Sequence, residues 1–268
     1  MANILDTIIA DKKVEVQQRK AQTPLDELKE QVQSLGKCRN FYKAITKQNT
    51  RGLNIIAEIK KASPSAGVIR EDFDPVEIAT IYKTCGADAI SVLTDEKYFQ
   101  GKLEYLQLVK DAVDIPVLQK DFVVDEYQIF EARAAGGDAI LLIADVIKPA
   151  VLMDLMIRAA ELTLTVLLEV HHADTLLAIR SLIGFPKKGY SVLGINNRNL
   201  DTMEVDINNT SRLAGLLDDD NKRFVAESGI KTRQHVEKLI SVGASAVLIG
   251  QTLCESPSIE DKFKELFG

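Results

Sequence analysis

Eight short apolar runs, each followed by an amphipathic helical stretch, constrain this chain more than any other feature of it. They occupy residues 55–59, 89–93, 116–118, 139–143, 165–168, 191–195, 223–226 and 246–249. Start to start they lie roughly 23 to 34 residues apart, the length of a strand plus a crossover helix. The runs are near-continuous in Ile, Val, Leu and Ala, which suits parallel strands covered on both faces. Three helix-to-strand joints repeat one pattern: Gly86-Ala87-Asp88-Ala89-Ile90, Gly136-Gly137-Asp138-Ala139-Ile140 and Gly243-Ala244-Ser245-Ala246-Val247. Each sets Gly at a helix end, then a short polar turn, then strand entry. Eight βα units in a row, with no Pro/Ser-rich linker, predict a single closed (β/α)8 TIM barrel rather than an open doubly wound sheet. The 268 residues suffice for one such barrel, which typically takes about 250.

Residues 1–50 read differently, as a helical extension ahead of a barrel at 51–268. Ile4, Leu5, Ile8 and Ile9 recur at helical spacing. Thr23-Pro24 predicts a second helix, with Thr as N-cap and Pro at its first position. Its apolar face is Leu25, Leu28, Val32 and Leu35, and a left-handed Gly36 is expected to end it. At the other end, Ser256-Pro257 predicts the start of a last helix that buries Ile259, Phe263, Leu266 and Phe267.

Charge and cysteine content exclude several classes of function. The chain has 33 Lys and Arg against 39 Asp and Glu, a formal net charge of −6. Nucleic-acid binding normally needs clustered Lys and Arg, so no nucleic-acid partner is expected. No apolar run approaches the roughly 18 residues of a membrane span, and no membrane partner is expected either. Met1-Ala2-Asn3-Ile4-Leu5-Asp6 lacks a basic region leading into an apolar stretch, so no secretory signal is predicted. Cys38, Cys85 and Cys254 are odd in number and far apart. That argues against a disulfide framework or a zinc site and makes a reducing cytoplasm the expected location.

In such barrels chemistry gathers where strands end in βα loops. The first run ends Glu58-Ile59-Lys60, with Glu58 and Lys60 two apart and so on one side of the strand. The third ends Gln119-Lys120-Asp121, the fifth Leu168-Glu169, the sixth Asn196-Asn197-Arg198 and the seventh Glu227-Ser228-Gly229. Any one of these could merely solvate the rim; together they describe a site. A phosphate cradle is the second constellation. Ser63-Pro64-Ser65-Ala66-Gly67 follows the first run, Ser228-Gly229-Ile230 the seventh and Gly250-Gln251 the eighth. Small residues after the last two strands of a barrel expose backbone N–H groups, the usual phosphate arrangement. His171-His172 reads as loop histidines rather than a metal site, because no further ligand arrives at suitable spacing. Asp218-Asp219-Asp220 reads as a solvated turn. Tyr98-Phe99 either lines a pocket for a ring or packs against a neighbouring loop.

The residues quoted resemble the indole-3-glycerol phosphate synthase family of tryptophan biosynthesis. The likeness rests on EIKKASPS at 58–65, LTD at 93–95 with YFQG at 98–101, LQKDF at 118–122, LEVH at 168–171, GINNRNL at 194–200, ESGI at 227–230 and LIG at 248–250. It spans nearly the whole chain. It implies a carboxy-lyase that closes the ring of 1-(2-carboxyphenylamino)-1-deoxyribulose 5-phosphate and then loses carbon dioxide and water, yielding indole-3-glycerol phosphate. Ring closure needs an acid for the ketone oxygen, and the resemblance assigns that role to Lys120, with Lys60 holding the substrate carboxylate or sharing the proton transfer. Neighbouring cations and partial burial are expected to bring the lysine's pKa down toward neutrality.

The resemblance makes Glu169 the base of the dehydration, with Glu58 orienting the lysines. Asn196 would bond the sugar hydroxyls or the carboxylate, with Arg198 and Glu227 stabilising it. Glu58, Lys60, Lys120, Glu169, Asn196 and Ser228 form the implied catalytic set. Ser63, Ser228, Gly229, Gly250 and Gln251 would cradle the phosphate, and Phe99, Phe122 and Leu200 would wall the anthranilate ring. No metal or cofactor is implied, and a monomer is expected, with a weak dimer the alternative. The sequence departs from the family where Ala66 replaces a common Lys, Gln119 a frequent Arg, and Gln251 a Glu or Ser. Competing readings are a phosphate-sugar isomerase, a Schiff-base aldolase using Lys120, and a non-catalytic scaffold.

Overall fold

The protein is described by a computed structural model covering residues 4–200, 202–218 and 223–268. Three helices come first: α1 (Ile4–Gln22), α2 (Leu25–Gln33) and α3 (Phe41–Thr46). Strand β1 (Asn54–Ile59) is followed by a small hairpin, β2 (Ala62–Ser63) and β3 (Gly67–Val68), and by α4 (Pro75–Thr84). Strand β4 (Ala89–Leu93) leads into α5 (Glu96–Phe99) and α6 (Leu103–Ala112), β5 (Val117–Lys120) into α7 (Glu126–Ala134), and β6 (Ala139–Ile143) into α8 (Pro149–Glu161). Strand β7 (Thr165–Val170) precedes α9 (Ala173–Ile179), and β8 (Ser191–Asn196) precedes α10 (Asn208–Ala214). Last come β9 (Phe224–Glu227), α11 (Arg233–Ser241), β10 (Ala246–Ile249), α12 (Gln251–Cys254) and α13 (Ile259–Phe267).

The eight strands other than the hairpin form a closed parallel barrel. Closure rests on β1, which pairs Ala57 with Ile90 of β4 on one side and with Ile249 of β10 on the other. No barrel strand is left with an unpaired edge. The repeated helix-to-strand joints follow the expected geometry, with Gly86, Gly136 and Gly243 at φ of 95°, 88° and 87°. The aspartates of the repeat clamp the foot of the neighbouring strand. Asp88 accepts the Ile55 N–H and Asp138 the Val117 N–H, each at 3.0 Å.

The extension touches both mouths of the barrel. Phe41 and Ile45 of α3, both 0% exposed, pack with Ala89, Ala139 and Ala246, the first residues of their strands, and with Leu118, Leu167 and Val225 further inside. Helix α3 therefore closes the N-terminal mouth. Helices α1 and α2 lie on α7 through Val16, Leu28, Tyr127 and Phe130. At the opposite end, Lys12 of α1 is only 1% exposed, with its ammonium 2.9 Å from Asp95, after β4, and from Asp121, after β5. Tyr98 donates its hydroxyl to Asp11, so this half of the Tyr98-Phe99 pair packs on α1.

Several local readings are corrected. The cap of α2 is Pro24, without a side-chain bond, because the Thr23 N–H still donates to Arg19 and belongs to the end of α1. That helix ends at Gln33, Gly36 does not take a positive φ, and Leu35 is 41% exposed. The last helix starts two residues later than expected, capped by Ser258, whose hydroxyl accepts the Asp261 N–H. It buries Ile259, Phe263 and Leu266, while Phe267 is half-buried. Asp218 pairs with Arg180, and Asp219 and Asp220 lie outside the described residues. Among the described residues no helix is long and apolar enough to cross a membrane. We expect Phe41→Ala to lower the unfolding free energy by about 3–5 kcal/mol in urea titration, because it empties the plug under the barrel.

Candidate active site

The C-terminal strand ends bring five charged side chains together. Lys120 closes β5, with its ammonium 3.4 Å from Glu169 Oε2 on β7 and 3.6 Å from Glu227 Oε2 at the end of β9. Lys60, just past β1, sits 2.5 Å from Glu58 Oε1, as their shared strand side predicts, and Ser91 donates to the other oxygen of Glu58. The three glutamates are each about 1% exposed. Room for them comes from two glycines on neighbouring strands. A Cβ on Gly194 would stand 2.3 Å from Glu227 Oε1, and one on Gly250 would stand 2.5 Å from Glu58 Oε1. Gly250 thus makes space for Glu58 as well as bordering the wider hollow described below.

The charges around Lys120 reverse one expectation. Its neighbours are anions, not cations. Burial disfavours its charge, but Glu169, Glu227 and Glu58 outweigh that and hold the ammonium above its usual range. The carboxyls split. Burial resists ionisation of Glu169, yet Lys120 and then His171 carry it well below the usual carboxylate range. Burial and the nearby Glu169 push Glu227 well above that range, against the pull of Lys120. Glu58 is held low by Lys60 and Lys120 despite its burial. The two carboxyls beside Lys120 are thus driven in opposite directions, the separation of acid and base that two-step proton chemistry uses.

Two adjoining spaces receive these groups. A narrow central cavity of about 100 Å³ is lined by Glu58, Lys60, Lys120, Glu169, Asn196 and Ser228, whereas Glu227 is buried and is not part of its lining. Phe99 and Phe122, ring centroids 6.0 Å apart, and Leu200 form its apolar wall. Ser63 faces this cavity, and its hydroxyl accepts the Ala66 N–H at 3.2 Å. Beside it lies a wider hollow of about 470 Å³ that includes Arg198, Ser228, Gly229, Gly250 and Gln251. Ser228 and Gly229 are consecutive left-handed residues, φ 65° and 76°, that turn the chain sharply off β9. Asn196 Oδ1 accepts the Arg198 N–H, and the Arg198 guanidinium donates to the Met203 carbonyl.

Some residues of the site were not read from the sequence. Lys231 and His235 line the hollow and supply basic groups where Ala66 supplies none. They look like ordinary residues of a helix and its approach, and only their distance from Ser228-Gly229 hinted otherwise. His171 lies in the loop after β7, as read, but it is buried rather than solvated: it is 4% exposed and lies between Asp145 and Glu169. Its position two residues after Glu169, on the same side of the strand, was the available signal. Asp121 anchors rather than reacts, accepting from Thr94 and pairing with Lys12.

A closed parallel barrel with paired lysines and glutamates at its strand ends, beside a hollow built from the loops after its last two strands, defines a phosphate-sugar (β/α)8 enzyme. Comparison narrows the class. The profile of the family described as indole-3-glycerol phosphate synthase matches residues 5–266. The relative of that name from Clostridium acetobutylicum is 46% identical over 93% of this chain and 91% of its own length. That from Rhodopirellula baltica is 42% identical over 98% of both. The chain belongs to the indole-3-glycerol phosphate synthase family, carboxy-lyases of tryptophan biosynthesis. Solved structures of lower identity share only the fold. These include a thiamine phosphate pyrophosphorylase from Pyrococcus furiosus (14% identical, TM-score 0.57, 81% of this chain and 96% of that one) and a 3-hexulose-6-phosphate synthase (15%, 0.60, 80% and 98%).

The packing of Gly194 against Glu227 gives a direct test. Gly194→Ala forces Glu227 off its place and should destabilise the protein by about 1–3 kcal/mol in thermal or urea unfolding. It should also lower kcat by a larger factor than it raises KM.

Proposed function

We propose that this chain carries out the family's reaction with the residues gathered at the strand ends. The observation that carries the reading is the Lys120 ammonium set between Glu169 and Glu227, the first carboxyl held well below its usual range and the second pushed well above it, beside an apolar wall and a basic hollow. The phosphate of 1-(2-carboxyphenylamino)-1-deoxyribulose 5-phosphate occupies the hollow, bound by the Ser228 and Gly229 turn, Gly250, Gln251 and the flanking Lys231. Its aromatic ring lies along Phe99, Phe122 and Leu200. Lys60 and Asn196 hold the carboxylate and the sugar hydroxyls, with Ser63 and Arg198 at the border of the two spaces.

Ring closure forms a carbon–carbon bond between the carboxyl-bearing ring carbon and the ketone carbon, while the ketone oxygen takes a proton from Lys120. Loss of carbon dioxide restores the aromatic ring. Glu227, 3.6 Å from Lys120, can return a proton to it. In the dehydration Lys120, protonated again, gives its proton to the new hydroxyl as the C–O bond breaks and water leaves, Glu169 takes up the amine proton, and loss of a C–H proton from the adjoining former sugar CH2 with return of a proton to the nitrogen completes the indole. A raised lysine pKa suits this acid, which must keep its proton until substrate displaces the carboxylates around it. It opposes an imine-forming aldolase, whose lysine must be neutral to attack a carbonyl.

We further propose a monomer acting in the cytoplasm on this small phosphorylated substrate, without nucleic-acid or membrane partners. Every group given a role comes from one chain, and Cys38, Cys85 and Cys254 are free thiols. The test is a continuous fluorescence assay for indole-3-glycerol phosphate with purified protein and the carboxyphenylamino-deoxyribulose phosphate. Lys120→Ala should lower kcat by about 10²–10⁴-fold while calorimetric binding of substrate stays within a few fold. Glu169→Gln, which keeps size and removes the base, should likewise reduce kcat more than binding. Near-normal turnover of either variant would remove that residue from its role.

A further inference from the structure

His171 is the buried titratable group that the steps above leave without a task. Its ring lies at the end of β7 with carboxylates on both sides. Nδ1 is hydrogen-bonded to Asp145 Oδ2 at 2.8 Å, and Nε2 forms an ion-pair contact with Glu169 Oε1 at 3.1 Å, outside hydrogen-bond alignment. A neutral imidazole carries one N–H, so one ring nitrogen would then face a carboxylate lone pair to lone pair. Both contacts are attractive only when the ring carries two protons and a positive charge. Burial opposes that charge, and Asp145 and Glu169 overcome it, pushing the pKa up to about 10.

Asp145 is itself held in place. It accepts the Thr175 hydroxyl at 2.7 Å and the His171 backbone N–H at 3.1 Å, while Asn209 of α10 donates to the His171 carbonyl. His172 is the only other titratable side chain in ring contact, 6.2 Å between centroids, among the described residues. From the loop after β6 inward acidic and basic side chains alternate, Asp145, His171, Glu169 and Lys120, with Glu227 beyond. Each oxygen of Glu169 has its own cation, Oε1 with His171 and Oε2 with Lys120.

We propose that His171, backed by Asp145, is a positioning residue for Glu169: it grips Oε1, leaves Oε2 facing the substrate, and supplies the cation that remains once Lys120 has given up its proton. The inference rests on Glu169 being the base. In the ring-closing step an N–H bond of Lys120 breaks, an O–H bond forms on the substrate, and Lys120 becomes a neutral amine. Without a second cation Glu169 would then sit buried with no counter-charge and would take a proton too early, before the dehydration that needs it ionised. His171 keeps the carboxylate charged through that interval.

The experiment compares kcat and KM against pH for the full chain, His171→Gln, Asp145→Asn and Glu169→Gln. Removing the His171 cation raises the pKa of Glu169, so the base form is lost at higher pH and the acid limb of the kcat profile moves upward. We expect a move of about one unit in His171→Gln and a smaller one in Asp145→Asn. Alongside it, kcat should fall roughly ten- to a hundredfold with KM within about twofold. A residue that only supports the fold would lower stability or active fraction and leave the limb where it was. If Glu169→Gln is inactive but the limb of His171→Gln does not move, the proposal is overturned and the base assignment survives. If Glu169→Gln turns over normally, both fall. Should His171→Gln fail to fold, nitrogen-15 spectra of the histidines in the unaltered chain decide. His171, assigned by elimination through His172→Gln and His235→Gln, must carry protons on both ring nitrogens at about pH 8, and a single protonated nitrogen overturns the proposal.

Discussion

The ammonium of Lys120, held largely out of water among three buried glutamates, is the interaction on which the upper half of the barrel depends. A charge moved from water into a protein interior costs several kcal/mol unless partners replace its hydration. Here the partners come from β1, β7 and β9, so β5 cannot carry this lysine unless the strands on the far side of the barrel are already in register. Glycines on β8 and at the end of β10 are small because carboxylates occupy the space a side chain would fill. Barrel closure and site assembly are thus one event, seen once as hydrogen-bonded strands and once as compensated charge.

The same compensation divides the labour among chemically identical groups. Glu58, Glu169 and Glu227 are equally buried, yet their positions relative to the two lysines and the histidine give them different protonation. Burial alone would neutralise all three. Lysines at two strand ends hold two of them below the usual carboxylate range, and the third, facing Glu169 across a shared cation, is pushed above it. The wider hollow shares Glu58 and Lys60 with this cluster and adds basic side chains of its own, Arg198 and Lys231, on the loops after β8 and β9.

The barrel was legible because its signal repeats. Eight apolar runs and three copies of one joint leave few other topologies, and each strand-end polar residue could be placed by counting along its run. Glu58 and Lys60 were paired by the two-residue period of a strand, and the structure puts them in contact. What could not be read was anything set by distance between strands. The expected fall in the Lys120 pKa assumed cationic neighbours, but β5 faces β7 and β9 across the interior, where only the folded geometry brings the glutamates in. His171 was passed over because its partner Asp145 lies in another loop. Helix ends erred by one or two residues where backbone bonds of an adjacent element, such as that from Thr23 to Arg19, took precedence over the local cap.

The extension reaches both mouths of the barrel, through Phe41 and Ile45 below and Lys12 above. Its lower partners include Val225 and Ala246, which belong to the last two strands of the barrel. Helix α3, although it precedes the barrel in the chain, therefore has no complete floor to dock on until the last strands are in place. Until then it is a six-residue helix, too short to be stable by itself. Once the barrel closes, it binds across the joint between first and last strands and acts as a latch on the ring it preceded.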